Sequence, residues 1–376
     1  MTLLPQWLDG ASGNTEAWLS HLPGPRRRVL RQALRELQRC GWKETWEWFS
    51  AFVKSEKLDG TDKSGPKPRS EIMDRLIQAP DPHALVHVAP WMWSLTKSLK
   101  ATWNFKSRIF YASTNPRLLD SWFNANYTAG KLAVCADYAK FDNSHSAESW
   151  AFMEWFYSMT PMFADKLVVH ILEQWRKPRG KMCGMGWAYR YEADFMNASG
   201  RPDTALANAV LNGVVMFLSL NAIFHGVGAE ELTPSMIAAT EGHISLSVVG
   251  DDSLALLSPL PQFTSPDFPH RLSQAIARFG FDASGDKMVV TGNPFDMVFL
   301  AMRPYPVGGK WYFGKTLGRC LFKQGVLLQP QDKDAGAWYH GVMAAEEESS
   351  RCVPLLHDLV ERVLEYRDGL RASPVP

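Results

Sequence analysis

Apolar residues in this chain recur with two periods. Val29, Leu30, Ala33, Leu34 and Leu37 follow the period of about 3.6 residues that marks a helix, predicted over Arg26–Trp48, and Arg31, Arg35 and Arg39 form its basic stripe. Residues 84–123 are helical in tendency and crowded with aromatics. Leu132–Ala136 is a short apolar run, as a buried strand shows, and Ser146–Tyr157 predicts a helix. Residues 58–70 and Lys177–Gly186, both rich in Gly and Lys, read as loops. Ser199–Pro202 is a turn opening a long apolar helix from about Thr204 to Phe224. His243–Val249 and Ser253–Leu257 read as strands joined by Gly250-Asp251-Asp252, a hairpin with two carboxylates at its tip. A helix over Pro269–Phe279, a strand over Lys287–Thr291 and a hairpin of Met297–Arg303 with Lys310–Phe313 around Gly308-Gly309 follow. From Leu317 onward the pattern is mostly helical, ending in Val353–Leu370. The order predicts an α+β fold with an antiparallel sheet backed by helices.

Composition narrows the class. Of 376 residues, 46% are hydrophobic and 21% charged, which excludes a disordered or collagen-like chain and leaves room for two or three subdomains. Cys40, Cys135, Cys183, Cys320 and Cys352 show no CxxC pair, so reduced thiols are expected and zinc is not. The first residues lack the pattern of a secretory signal. The most apolar stretch, Ala209–Phe224, is interrupted by Asn212, Gly213 and Asn221 and is shorter than the roughly 20 residues of a membrane span, so no transmembrane helix is expected. The net charge of +1 hides an asymmetry: residues 1–130 carry 18 Lys and Arg against 12 Asp and Glu. A basic front and an acidic remainder suit a protein that grips an anion in one part and holds a divalent metal in another, and equally an ordinary charged surface.

Three polar motifs interrupt the apolar pattern. Asp137-Tyr138-Ala139-Lys140-Phe141-Asp142 directly follows the strand Leu132–Ala136. A carboxylate at the end of a buried strand must be paired, hydrogen-bonded or metal-bound. Asp251 and Asp252 repel one another unless a cation joins them, and with Asp137 converging from a neighbouring strand end they offer hard oxygens suited to Mg²⁺. Between these lies Ser199-Gly200-Arg201-Pro202-Asp203-Thr204-Ala205-Leu206-Ala207-Asn208, where Thr204 and Asn208 share a helical face. Ser199 and Asp203 also suit a helix N-terminus as caps. The run Gly280–Lys287 approaches a phosphate-binding loop, but Asp286 separates Gly285 from Lys287 and excludes that reading.

DYAKFD, SGRPDTALAN and GDD, in this order, resemble motifs A, B and C of viral RNA-dependent RNA polymerases, most of all those of positive-strand RNA viruses of the tombusvirus- and nodavirus-like kind. The likeness spans about residues 50–315. It implies a right-hand fold with fingers at 1–130, palm at 131–158, a fingers insertion at 159–195, palm at 196–314 and thumb at 315–376. It implies two catalytic Mg²⁺ or Mn²⁺ ions on Asp137 and Asp251, with Asp252 near the second ion or the primer end. Asp142 and Asn208, with Ser199 and Thr204 and the turn at Gly200, would sense the ribose 2′-hydroxyl that tells RNA from DNA. Lys287 takes the place of a general acid toward pyrophosphate. Lys54-Ser55-Glu56-Lys57 and Arg75-Leu76-Ile77-Gln78 resemble the two halves of the basic motif that neutralises the triphosphate. Arg75 is the first candidate there and Lys54 and Lys57 come next, while Arg69 in an added loop competes with Arg75. Met297–Arg303 resembles the motif that supports the primer strand.

The implied partners are template RNA, nascent RNA and NTPs, with other viral replication proteins as further candidates. The implied location is the host cytoplasm, with membrane-associated replication complexes reached through partners. Two rivals share the scaffold. A reverse transcriptase usually carries a bulky aromatic where Asp142 stands and lacks the Asn of the second motif. An inactive RNA-binding replication protein has no use for three acids that repel phosphate.

Overall fold

The computed structural model describes residues 12–54, 61–62, 65–66, 76–112, 115–184, 186–283, 288–323 and 335–372. Its strands are β1 (Phe49–Val53), β2 (Thr61–Asp62), β3 (Gly65–Pro66), β4 (Leu76–Pro80), β5 (Ile109–Tyr111), β6 (Leu132–Ala136), β7 (Arg179–Gly184), β8 (Trp187–Glu192), β9 (Ile244–Val249), β10 (Asp252–Leu257), β11 (Met288–Thr291), β12 (Met302–Val307) and β13 (Lys310–Lys315).

A five-stranded sheet of order β11-β6-β10-β9-β5 carries the site. Its pairings are antiparallel except β5 with β9. Strand alternation divides the core in two. Val134, Ala136, Leu246, Val248 and Ala255 face a large cluster built on the helices Thr204–His225 and Phe268–Ala277. Ala133, Cys135, Leu254 and Leu256 face the other way, onto Leu119, Trp122 and Phe123 of the helix Pro116–Asn126 and Phe313 of the β12–β13 hairpin. Both sheet faces are thus covered, which explains why β6 and the end of β10 read as unbroken apolar runs, while β9 alternates apolar residues with the small Ser245 and Ser247.

A second sheet, of order β4-β1-β7-β8, joins the early chain to residues 179–192. The loop expected over Lys177–Gly186 is therefore the start of a hairpin. Its glycines misled the composition reading: a Cβ on Gly180 would lie 2.2 Å from the Tyr191 hydroxyl oxygen, and one on Gly184 2.2 Å from the Trp187 ring. Glycine is there because cross-strand aromatics lie over the backbone.

The helices depart from the periodic reading where caps intervene. The first long helix is Gly24–Cys40, stopped by Gly41 at φ +68°, and Glu44–Glu47 is a separate 3₁₀ turn. Val29, assigned to its apolar face, is 56% exposed. The stretch 84–123 divides into Pro82–Thr102, β5 and Pro116–Asn126; the Asn115 side chain caps the last by accepting from the Arg117 N–H at 3.0 Å. The late hairpin starts at Met302 rather than Met297, because Leu300 and Ala301 both take positive φ and turn the chain first. Cys135, Cys320 and Cys352 are buried, whereas Cys40 and Cys183 are exposed.

The core helix Thr204–His225 has 22 residues, so by length and composition it passes for a membrane span, contrary to the shorter stretch read from sequence. Its apolar window is 89% buried inside the protein, and it serves as the axis of the main core.

Candidate active site

The register of two strands builds the site. Ala136 pairs with Ser253 in the antiparallel ladder, so the next residues outward, Asp137 and Asp252, leave the sheet side by side. Asp252 also pairs with Val249 across the two-residue turn Gly250-Asp251, where Gly250 supplies φ +57°. On the other flank of β6, Met288 pairs with the same Ala136. Three strand ends thus meet at one edge, and Asp137, Asp251 and Asp252 all stand there, half-buried.

The hairpin tip is held from below. Asn212, fully buried in the core helix, donates from Nδ2 to the carbonyls of Gly250 (3.1 Å) and Asp252 (3.2 Å). Its Oδ1 accepts the Tyr138 hydroxyl at 3.0 Å. One amide therefore ties the first and third motifs to the helix of the second. Burial, and then the charge of Asp251, push the Tyr138 phenol well above its usual range, so it stays a donor. The sequence showed Asn212 only as an interruption in an apolar run. A buried Asn must find partners, and that requirement was the available signal.

A second network surrounds Asp142. Asn208 Nδ2 donates to Asp142 Oδ1 at 2.8 Å. Asn208 Oδ1 accepts from Asn197 Nδ2 at 2.8 Å, and the His145 ring nitrogen Nε2 lies 3.3 Å from the same oxygen. The Asn197 N–H donates to the Asp142 carbonyl at 2.8 Å. The structure joins Asp142 and Asn208 directly; Asn197 and His145 escaped the sequence reading. Burial, followed by the Arg201 charge, pushes the His145 imidazole down to about 4. Its folded value thus lies below its unfolded value near 6.5, so between about pH 6.5 and 4 the unfolded chain binds a proton that the folded chain refuses. Stability should fall as pH drops through that window, by about 3 kcal/mol at its acid end. Denaturant unfolding at pH 7 and pH 4.5 should show this loss, and His145→Gln should reduce the difference; an unchanged pH dependence in the variant would remove His145 as its source.

The turn between the motifs is anchored differently from expectation. Asp203 occupies the cap position of the core helix without capping it. Its carboxylate instead accepts from Arg201 Nε and from the Tyr157 hydroxyl, both at 2.9 Å. The Arg201 guanidinium stacks over Trp150 at 4.4 Å and is almost wholly buried. The Thr204 hydroxyl closes the turn on the Ala198 carbonyl at 3.0 Å.

Ser199 and Gly200 dock the turn onto β4. The Ser199 hydroxyl donates to the Leu76 carbonyl at 3.1 Å and the Gly200 N–H to the Gln78 carbonyl at 3.1 Å. A Cβ at Gly200 would stand 2.4 Å from that Gln78 oxygen, which makes glycine necessary for this close approach. Val53 pairs with Leu76, so Lys54, the residue after β1, begins beside the Ser199 anchor. Lys57, Arg69, Arg75 and Lys287 lie outside the described residues.

Among the described residues, no three His, Cys, Asp or Glu side chains gather closely enough to be a metal cluster by themselves. The converging trio of carboxylates expected from sequence is thus realised as neighbouring backbone positions rather than as an assembled cluster. A cavity of about 720 Å³ lies elsewhere, bordered by Arg117, Lys315 and Glu348.

No protein-family model and no curated protein matches the sequence. Solved structures do. The RNA-dependent RNA polymerase of a human picobirnavirus aligns at 14% identity with a TM-score of 0.59, over 85% of this chain and 55% of that one. Its insertion-loop deletion mutant aligns at 15% identity with a TM-score of 0.56, over 85% and 56%. The chain spans little more than half the length of these proteins. At such identity the likeness is one of fold, and the fold is that of viral RNA-dependent RNA polymerases.

Proposed function

We propose that this chain synthesises RNA on an RNA template from NTPs by two-metal-ion nucleotidyl transfer, replicating a viral genome. The observation that carries the reading is the shared edge where Asp137 and Asp251-Asp252 leave paired strands, with Asn208 of the core helix hydrogen-bonded to Asp142, which follows Asp137 closely in the chain. The donor set fits the cation. Mg²⁺ binds through one or two carboxylates and completes its shell with water and substrate phosphate, so it needs no preassembled trio. Asp137, Asp251 and Asp252 would hold the two ions, Mg²⁺ or Mn²⁺. When bound, the ions would acidify the primer 3′-hydroxyl and neutralise the departing pyrophosphate.

The chain's own groups would do the rest. The Asn212 amide keeps the hairpin tip fixed, so that the carboxylates need little reorganisation. The Asp142–Asn208 pair, with Ser199 and Thr204, would read the 2′-hydroxyl. Lys54, Lys57, Arg69 and Arg75 would neutralise the triphosphate, and Lys287 would protonate pyrophosphate. In this reading the β4-β1-β7-β8 sheet belongs to the fingers, the five-stranded sheet to the palm and the helices after Leu317 to the thumb. The tombusvirus- and nodavirus-like kinship rests on the wording of the three motifs, and action in host cytoplasm with other replication proteins follows from that kinship.

Gel-resolved primer extension and primer-free synthesis on one short RNA, with Mg²⁺ and with Mn²⁺, test the proposal. NTPs should be incorporated in strong preference to dNTPs. Asn208→Ala should reduce that preference by about 10–100-fold, the effect of losing a hydrogen bond that positions a substrate hydroxyl. A clear preference of the unaltered protein for dNTPs would make it a reverse transcriptase. Absence of both incorporation and divalent-cation binding would make it an inactive RNA-binding scaffold.

A further inference from the structure

The helix Gly24–Cys40 carries a feature that the polymerisation site does not use. Arg28, Arg31, Arg35 and Arg39 are all exposed. At about 100° per residue they fall within a sector of about 80°, opposite the buried Leu30, Ala33 and Leu37. They form a row about 16 Å long.

The row is poorly compensated. Among the described residues, ion pairing reaches only Arg31, through Glu16 at 2.7 Å, an exposed pair that contributes little. Glu36, the one acid of the helix, is engaged by His83 at 3.0 Å and Gln32 at 2.9 Å. The first turn holds no acidic residue and carries Arg26 and Arg27 against the helix dipole, with Arg28 next to them. Arg27, Arg31, Arg35 and Arg39 also repel one another at i, i+4 spacing. Arg39, in the last turn, suits the helix dipole and lies within reach of the Glu36 charge, but helix stability does not explain the remaining arginines, whose repulsion a bound polyanion would offset.

We infer that this row is an RNA docking track on the outer surface, separate from the polymerisation cleft, which grips phosphodiester groups of a single-stranded segment. The inference rests on the RNA-polymerase reading for the identity of the polyanion. The charge is all guanidinium, which binds phosphate oxygens in bidentate fashion. The position excludes the cleft. Leu30, Ala33 and Leu37 lie on the inner side of the helix, where Leu30 and Ala33 pack with Val86 and Ala89 of Pro82–Thr102. Ala84, Val88 and Met92 of that second helix face the main core, which lies between the arginines and the strand ends. An anionic membrane is disfavoured because the apolar face is already buried in the protein and Val29 is the helix's one exposed large apolar side chain.

Fluorescence anisotropy of a labelled, unstructured 20-nucleotide RNA, with the full chain from 50 to 300 mM KCl, tests the track. Arg28→Gln/Arg31→Gln/Arg35→Gln/Arg39→Gln should bind at least tenfold more weakly at 100 mM KCl. Its slope of log K against log[salt] should fall in magnitude by about 2–3, at about 0.7 for each phosphate that is no longer neutralised. The matching quadruple Lys variant should keep most of the slope. Addition of one NTP to a short, pre-annealed primer–template at saturating concentration should be equal in all three proteins. Unchanged RNA affinity and slope in the Gln variant would overturn the inference. So would loss of binding to phosphatidylserine vesicles with RNA binding intact, which would make the row a membrane contact. Anisotropy reads the track even where no nucleotide is incorporated, so failure of the polymerase reading and failure of the track remain distinguishable.

Discussion

Asp251→Ala should abolish NTP incorporation on an RNA template, by on the order of 10³-fold or more, while the protein stays folded. The loss follows from the proposed role. Removing one carboxylate from a hard-oxygen site takes away both a metal ligand and charge that must balance two divalent cations. The preserved fold follows from the geometry. The hairpin tip is fixed through backbone carbonyls of Gly250 and Asp252 on Asn212, and the Asp251 side chain is not one of those bonds. The strands behind it are paired along their whole length, from Asp252–Val249 to Leu257–Ile244. Unfolding curves of variant and parent should therefore nearly coincide, and Mn²⁺ affinity measured by calorimetry should drop. Retention of more than a few per cent of the activity would reject Asp251 as a metal ligand.

Asp203→Ala should be the most destabilising single change near the site, by about 3–5 kcal/mol, a fall of about 4–6 °C in the unfolding midpoint. Asp203 is fully buried, and the Arg201–Asp203 pair is closed to solvent on both sides. Removing the carboxylate leaves the Arg201 guanidinium buried with no counter-charge and the Tyr157 hydroxyl without its acceptor. The effect is that of stranding one partner, since a buried ion pair as a whole adds little net stability. Replacing both, as Arg201→Met/Asp203→Leu, should therefore recover a large part of the loss. Calorimetric unfolding of the three proteins checks this; an Asp203→Ala protein within 1 kcal/mol of the parent would show that the pair is not what holds the turn. The consequence for function is indirect. The pair holds the turn that carries Ser199, Gly200 and Thr204, so the single variant should also lose affinity for NTP.

Much of the site was legible because its signals are local. Alternation and a turn residue suffice for the hairpin around Gly250, and the apolar run before Asp137 suffices for β6. Motif order then linked them. Elements failed to read where a local rule served a distant contact. The glycines of β7 suggest a loop, but Gly180 and Gly184 make room for Tyr191 and Trp187 across the hairpin. Asp203 has the chemistry of a cap, but a buried Arg two residues earlier competes for the same carboxylate and wins by charge. Asn208 was read as a ribose contact without the Asn197 and His145 side chains that converge on its oxygen.

The sequence by itself determined the α+β class, the strand–turn–strand unit bearing Asp251 and Asp252, and the candidate residues of three separated motifs. These depend on periodicity and turn chemistry, which act over a few neighbouring residues. Only the tertiary structure decided that Ala136 pairs with both Ser253 and Met288, that Asn212 ties Tyr138 to the hairpin, and that Gly200 rests on Gln78. Those pairs join residues tens to more than a hundred positions apart. They are fixed by packing and by the need to satisfy each buried polar group, neither of which leaves a periodic trace in the chain.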